Sequence, residues 1–140
     1  MADTDLDVDM SEVSPEIPVS TVISSILTSV KKLLGIEEMY EHFDADIIMH
    51  INTAFMTLTQ LGLGPAEGFF IEDKSATWDD FLGGRKDLYA VRSYVFMRAR
   101  LMFDPPQMGY LVDSLKKQCE ELEWRLNVQR EGYTDGSGNT

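Results

Sequence analysis

Two consecutive prolines divide the most regular part of the sequence, and this break constrains the fold more than any other feature. They lie in the turn Asp104-Pro105-Pro106-Gln107, between helical apolar patterns at Lys86–Phe103 and Met108–Arg130. Proline has no backbone N–H and its ring clashes with the preceding helical turn, so the pair ends one helix and opens the next. A connection this short predicts that the two helices pack as antiparallel neighbours.

The two helices differ in predicted length. At 1.5 Å per residue, the first runs roughly 27 Å and the second roughly 34 Å. We therefore expect the second to overhang its partner by about a turn at the C-terminal end, where Trp124 and Val128 lie nearly opposite the apolar stripe. Two interpretations stay open. Trp124 is an interface anchor, or residues 36–43 or 66–85 of the same chain fold over it.

The helix before the prolines carries apolar side chains on two nearly opposite sides. One stripe contains Leu88, Val91, Val95, Ala99 and Met102, and the other contains Ala90, Tyr94, Met97 and Leu101. This pattern predicts a helix that is either central in a bundle or shared with another subunit. Arg92, Arg98 and Arg100 point in three directions around it, so pairing with acids within or between subunits is favoured over a nucleic-acid patch.

The helix after the prolines has an inward leucine stripe, and Cys119 lies at its edge. The stripe contains Leu111, Leu115, Leu122 and Leu126. Because no histidine or basic neighbour marks Cys119 as a nucleophile, we expect it to act as a small buried hydrophobe. As the only cysteine, it also excludes an internal disulfide.

Two further amphipathic helices are predicted earlier in the chain. The first begins at Ser20 or Thr21 and ends at Leu34 before Gly35, with Lys31 and Lys32 on its polar face. The second runs over 45–61 after an Asp44 cap. Its far side holds Met49 and Met56, and flexible methionine side chains suit a face that adapts to a neighbouring chain.

Residues 66–85 have a different character. Gly68-Phe69-Phe70-Ile71 is a short β-like run, and Thr77-Trp78-Asp79-Asp80-Phe81-Leu82 predicts one Thr-capped helical turn. The fold class is therefore all-α: a small four-helix bundle with a short β-like or irregular insertion and an arm at each end. The predicted domain covers 20–131, between an acidic arm at 1–19 and a tail at 132–140.

Net charge limits the partners. The chain carries −12 at neutral pH, and residues 1–19 hold six carboxylates and no base. Binding of DNA phosphates depends on clustered Lys and Arg, so nucleic-acid recognition is disfavoured. The sequence has no signal-peptide pattern and no apolar run of the roughly 20 residues that span a membrane. We expect a soluble intracellular product without membrane contact.

No catalytic constellation is evident, and we predict no enzyme activity, cofactor or metal. His42 and His50 lack partners at ligand spacing. Asp79 and Asp80 do not share a helical face and are better explained as helix-start acids. A small hydrolase using these two acids with His50 is one rival hypothesis. An acidic inhibitor or DNA mimic that binds a basic groove on a host protein is another, and it predicts a monomer or dimer.

Several stretches, in order, resemble the head–tail connector (adaptor) proteins of long-tailed bacteriophages over roughly Ser24 to Arg130. They are Asp44-Ala-Asp-Ile-Ile-Met-His-Ile-Asn52, Gln60-Leu-Gly-Leu-Gly-Pro65, Thr77-Trp-Asp-Asp-Phe-Leu82, Asp87-Leu-Tyr-Ala-Val-Arg92, Leu101-Met-Phe-Asp-Pro-Pro-Gln107 and Glu120-Glu-Leu-Glu-Trp-Arg-Leu-Asn127. The proline turn followed by the last of these is the most specific part. The acidic arm lies outside the resemblance.

The resemblance implies a virion protein at the head–tail junction, assembled in the host cytoplasm. Such adaptors form a ring, usually of twelve, below the portal, extend the DNA channel and seat a tail-side stopper or terminator. DNA would pass without specific binding. By carry-over, the C-terminal helix and tail would contact the portal through Trp124, Val128, Arg130 and Tyr133. Candidate subunit contacts are Met49, Met56, Tyr94, Met97, Leu101, Arg98 and Arg100.

Overall fold

The computed structural model describes residues 23–132 and confirms an all-α fold. The chain forms five α-helices and a short 3-10 helix, and no β-strand occurs between residues 23 and 132. The helices are α1 Ile26–Leu34, α2 Asp44–Gln60, α3 Trp78–Leu82, the 3-10 helix Lys86–Leu88, α4 Ala90–Phe103 and α5 Gly109–Gly132. The predicted arm at 1–19 and the tail beyond Gly132 lie outside the described residues.

Helix α4 is the centre of the bundle, which is the first of the two roles its double stripe predicts. It packs against α1, α2 and α5. Val91 and Val95 from one stripe and Tyr94 from the other are completely buried. Burial on both sides explains why the helix needs two apolar faces. Met102, at the end of the first stripe, is partly exposed.

Helix α1 begins later than predicted, because long-range pairing selects its first residue. Ser25 forms an isolated antiparallel bridge with Thr77, and the Ile26 amide donates to the carbonyl of Ala76 at 3.0 Å. The Ser25 hydroxyl then accepts the Thr28 amide and caps the helix. Several hydroxyls in this stretch could have served as caps, and the partner segment 76–78 is far away in sequence. The sequence alone therefore placed the start too early.

The polar face of α1 was also predicted incorrectly at Lys31. This lysine is only 2% exposed, whereas the apolar side chain of Leu33, two residues later, is 60% exposed. The Lys31 ammonium lies 2.7 Å from the Asp44 carboxylate. It also donates to the carbonyls of Glu38 and Tyr40 at 2.9 and 2.8 Å. Two carbonyl acceptors and a carboxylate at ion-pair distance surround the ammonium group, so a buried charge is tolerated here.

Asp44 consequently does not cap α2 as predicted. Helix α2 begins at Asp44 itself, and Phe43 precedes it without a side-chain cap. The Asp44 carboxylate instead faces Lys31, which joins α1, the connector at 36–43 and the start of α2. At the other end, α2 stops at Gln60, close to the predicted boundary.

The insertion at 66–85 is irregular, and its predicted β-like run forms no strand. Asn52 on α2 takes the place of a neighbouring strand: its side-chain amide donates to the Ile71 carbonyl at 3.0 Å and accepts the Ile71 amide at 2.8 Å. The predicted helical turn is present as α3, with a capping box between Thr77 and Asp80. Its Phe81 packs against Phe55 of α2 and lies so close to Gly64 that a Cβ there would clash.

Helix α5 contradicts the predicted overhang. Its buried residues are Cys119 and Leu126, and none of the residues from Gly109 to Gln118 is buried, including Leu111 of the predicted inward stripe. Near the C-terminal end, Gln129 donates to the Asp87 carbonyl and the Arg130 side chain lies against Gly62. The C-terminal end of α5 is therefore covered on one side by Asp87 and Gly62. Helix lengths alone could not predict where these residues lie.

The Lys31 contacts predict a stability effect. Replacing Lys31 with Met keeps the aliphatic stem but leaves the Asp44 carboxylate and two carbonyls without their donor. We expect the free energy of unfolding, measured by urea denaturation, to fall by about 1–3 kcal/mol. Lys32→Met, at an exposed neighbour, is the matched control and should change it little. Equal effects of the two substitutions would contradict the structural role of Lys31.

Candidate interaction surfaces

Tyr94 stabilises the contact between α4 and α5 through its hydroxyl group. This hydroxyl donates to the Glu123 carboxylate at 2.6 Å and accepts from the Arg98 guanidinium at 2.6 Å. Arg98 also lies 3.6 Å from Glu123. Burial, together with the hydrogen bond to Glu123, raises the pKa of Tyr94 far above its usual range. Because Tyr94 is fully buried within one chain, its side chain is not available as a subunit contact in this structure.

The arginines of α4 are largely engaged within the chain. Arg92 stacks over the Trp78 ring, 5.5 Å from its centre, and donates to the Ile23 carbonyl at 3.3 Å. Arg98 belongs to the Tyr94 contact. Arg100 is half-buried, and its Nε has no hydrogen-bond partner in residues 23–132. The expected pairing with acids within the chain therefore holds for Arg98.

The outer face of α5 carries the largest exposed side chain among the predicted portal contacts. Trp124 is 66% exposed, and Val128 lies one turn further along the helix, also exposed. Neither the connector at 36–43 nor the insertion at 66–85 lines the groove beside Trp124. Tyr89, which is 71% exposed, lines this groove together with Trp124 and Val128. We call Tyr89, Trp124 and Val128 the Trp124 surface.

The turn before α4 supports the Trp124 surface. Arg85 makes two hydrogen bonds to the Asp87 carboxylate, at 3.1 and 2.6 Å, and donates to the Gln129 carbonyl at 3.4 Å. The same guanidinium holds the pKa of Asp87 below its usual value. These contacts fix the start of α4 against the end of α5. Tyr89 and Trp124, which lie on these two segments, are therefore fixed relative to each other.

The other two predicted portal contacts differ from Trp124. Arg130 is half-buried: its stem lies over Gly62, and its guanidinium donates to Asn127 and Glu131. Its Nε is buried and has no hydrogen-bond partner within the described chain. Arg130 therefore also supports the C-terminal end of α5. Tyr133 lies outside the described residues.

A second apolar surface lies on α2. Met49 and Met56 are both more than half exposed and are two turns apart. Asn52 lies between them and binds the backbone of Ile71, the residue that follows the exposed Phe70. We call Met49, Met56 and Phe70 the methionine surface. Met97 and Leu101, also predicted as subunit contacts, are half-buried and pack against the core of their own chain.

Sequence patterns missed Tyr89, Phe70 and Tyr110 as exposed aromatics. Tyr89 lies between the two stripes of the predicted helix, and the helix breaks at this residue into a 3-10 turn and α4. Phe70 sits in a run whose alternation could have marked it, because Phe69 packs against Phe55 while Phe70 points the opposite way and is exposed. Tyr110 follows Gly109 at the poorly packed start of α5.

Asp79, Asp80 and Cys119 have surroundings that account for them structurally. Asp79 accepts the Gly84 amide at 3.0 Å, and Asp80 accepts the Thr77 amide at 2.9 Å, as expected for acids at a helix start. Cys119 is buried, and burial raises the pKa of its thiol. Across residues 23–132, no group of three or more His, Cys, Asp or Glu could hold a metal ion.

These features define a small helical protein whose candidate sites are docking surfaces. None of its described helices combines the length and apolar character needed to cross a bilayer. A family model described as Phage connector protein matches residues 26–133. The chain belongs to this family and is a phage head–tail connector protein, which confirms the resemblance seen in the sequence. No curated protein and no solved structure gives a significant match.

The buried Tyr94 hydroxyl predicts a pH effect. The unfolded chain loses this proton near the ordinary pKa of 10.0, whereas the folded chain retains it to higher pH. The free energy of unfolding should therefore decrease as the pH rises above that value. Ultraviolet titration of the folded protein should show one tyrosine that does not ionise until the protein unfolds.

Tyr94→Phe provides the control for that titration. In this variant the tyrosine that resists ionisation in the native protein should be missing from the titration. The substitution should also lower the free energy of unfolding by about 1 kcal/mol, because Glu123 and Arg98 lose a shared partner. Ionisation of every tyrosine of the native protein near pH 10 would contradict the buried hydrogen bonds of Tyr94.

Proposed function

We propose that this connector is a ring-forming head–tail adaptor that binds below the portal, extends the DNA channel and seats the next tail-side protein. The observation that carries this proposal is the pair of exposed apolar surfaces that remain after the chain has completed its own core. Trp124 and Tyr89 lie on α5 and the turn before α4, whereas Met49 and Met56 lie on α2. Large exposed apolar side chains grouped on a folded surface favour protein contacts.

Two different surfaces suit a ring. In a cyclic assembly, one patch of each subunit meets a different patch of the next, and the contact repeats until the ring closes. The methionine surface supports one side of such a contact, since methionine side chains adapt to an uneven partner. Met97 and Leu101 extend the candidate contact only where their half-buried side chains reach the surface, and Arg98 and Arg100 would contribute from the same helix.

The Trp124 surface is assigned to the portal. Tryptophan is favoured among residues that contribute most to binding energy, particularly when it enters a pocket on the partner. Val128 lies on the same outer face and would enlarge the apolar contact. Arg130 supports this end of α5 through contacts within its own chain. Tyr133, three residues later, would contribute to the portal contact. The tail-side partner would be a stopper or a tail terminator protein.

The charge of the subunit is consistent with a DNA channel. Each chain carries a formal net charge of −12, which a ring would repeat in every subunit. Repulsion between a negative wall and DNA phosphates discourages adhesion, so DNA could pass without being bound. The adaptor would act in the virion at the head–tail junction after assembly in the host cytoplasm, and its role would be structural rather than enzymatic.

Mass measurement of the purified protein, with and without portal, tests this proposal. We expect a closed ring to form, alone or on the portal, and to remain bound to it. In the same experiment Trp124→Ala should weaken binding or assembly by roughly 30-fold or more, as expected for an interface residue worth about 2 kcal/mol. Circular dichroism should show unchanged helicity, because Trp124 lies outside the core of the described chain.

Tyr110→Ala is the matched control for Trp124→Ala. Tyr110 is an aromatic residue on the same helix, 69% exposed, at the opposite end of α5 from the Trp124 surface. Its substitution should leave portal binding unchanged. A stable dimer that does not bind portal would contradict the adaptor proposal and would agree with the acidic inhibitor hypothesis. Loss of helicity in Trp124→Ala would show that the residue belongs to the core.

A further inference from the structure

Two grooves meet at Tyr89, and together they form a surface that combines aromatic rings with positive charge. One groove lies beside Trp124 and includes Arg125. The other is lined by Lys86, Arg92 and the Trp78 ring, among others. Tyr89 belongs to both. This double groove is therefore continuous with the Trp124 surface and extends it towards the N-terminal side of the described chain.

The charge of the double groove is opposite to that of the chain as a whole. Its lining includes four of the 12 basic residues and two acids. The basic residues are Arg85, Lys86, Arg92 and Arg125, and the acids are Asp79 and Asp87. Arg85 is paired with Asp87, and Arg125 with Glu121 outside the lining, so the positive excess rests on Lys86 and Arg92. In a protein of net charge −12, a surface with a local excess of positive charge favours an acidic occupant.

The chain enters the described structure at the edge of this double groove. Ser24 lines the same groove as Lys86 and Tyr89. The preceding residue, Ile23, accepts a hydrogen bond through its carbonyl from the Arg92 guanidinium. Residues 1–22 are therefore attached beside Tyr89, and an extended chain covers about 3.3 Å per residue. Residues 11–22 separate the alternating segment at 5–10 from Ile23, and twelve extended residues could span up to roughly 40 Å, so chain length does not prevent that segment from reaching the grooves.

The composition of the arm matches this surface. Residues 1–19 contain six carboxylates and no Lys or Arg. Within 5–10, acids alternate with Leu6, Val8 and Met10, so an extended segment would present carboxylates and apolar side chains on opposite sides. Such a segment could place its carboxylates near the basic rim while its apolar side chains contact the exposed rings of Tyr89 and Trp124.

We infer that the acidic arm, residues 1–19, docks in cis on the double groove and covers the Trp124 surface of the free subunit. Attachment at Ile23 favours the arm of the same chain over that of another, because the linkage gives it a high effective concentration. A partner that uses Trp124 must then displace the arm, and this last step rests on the proposed portal contact. The arm would thereby shield the exposed indole from non-specific association before assembly.

Acrylamide quenching of tryptophan fluorescence in the full-length protein tests this inference without portal. Acrylamide is uncharged, so changes in protein charge do not alter its access. The Trp124→Phe variant gives the signal of the buried Trp78, and the difference reports Trp124. We expect Trp124 to be protected in the native protein. Replacing Asp3, Asp5, Asp7 and Asp9 with Asn should raise its quenching severalfold, and so should 1 M salt, which screens charge pairs.

Two matched controls separate docking from a general effect of charge. Replacing Glu41, Asp46, Glu67 and Glu72 with their amides removes the same number of exposed carboxylates from other positions and should leave Trp124 protected. Lys86→Glu should release the arm, whereas Lys116→Glu, at another exposed lysine, should not.

Three results would overturn the inference. In the first, Trp124 is quenched as freely in the native protein as in the arm variant. In the second, the control substitutions increase the quenching of Trp124 as much as the arm substitutions do. Protection that disappears on dilution would assign the cover to a second copy instead of the same chain. Because none of these measurements involves the portal, their failure would leave the portal contact to be judged by the mass measurement alone.

Discussion

The burial of α4 on two sides is the constraint on which the rest of the structure depends. The helix packs against α1, α2 and α5, Val91 and Val95 are completely buried in it, and Tyr94 closes the contact with α5 by bonding to Glu123. A tyrosine hydroxyl in that position needs both a donor and an acceptor, because an unpaired polar group at a buried contact is costly. Arg98 and Glu123 provide them, and this polar contact, together with Cys119 and Leu126, holds a long helix that buries few of its own residues.

Because the core is complete within one chain, the large apolar side chains that stay exposed are candidates for contacts with other proteins. The Arg85–Asp87 pair and the Arg130 stem over Gly62 fix the segments that carry Tyr89 and Trp124. These two side chains are therefore exposed at fixed positions. The methionine surface is separate and lies on a different helix. A connector that assembles by unlike contacts between identical subunits needs this separation. The docking that we infer for the acidic arm would cover one of these surfaces until a partner is present.

Local patterns predicted those parts of the fold that local chemistry determines. The double apolar stripe predicted that α4 is either central or shared between subunits, the proline pair placed the α4–α5 turn, and Thr77 marked the capped start of α3. Long-range contacts decided what the sequence could not show. Lys31 is buried because Asp44 and two carbonyls surround its ammonium group, and no helical-wheel pattern contains that information. Helical periodicity placed Trp124 opposite the leucine stripe but left open whether the chain covers it. Its neighbour Tyr89 became visible only when the turn at 85–88 was placed against α5.

Hydrogen exchange of the isolated subunit tests most directly whether one chain completes its own core around α4. The amides from Val91 to Ala99 should exchange most slowly in the free subunit, at a rate set by global unfolding, and assembly should change them little. Protection gained on assembly should appear instead near Met49, Met56 and Trp124. The contrary result would be rapid exchange of the α4 amides in the free subunit and protection only in an assembly. The core around α4 would then need neighbouring copies, and the exposed surfaces of the single chain would not be evidence for docking sites.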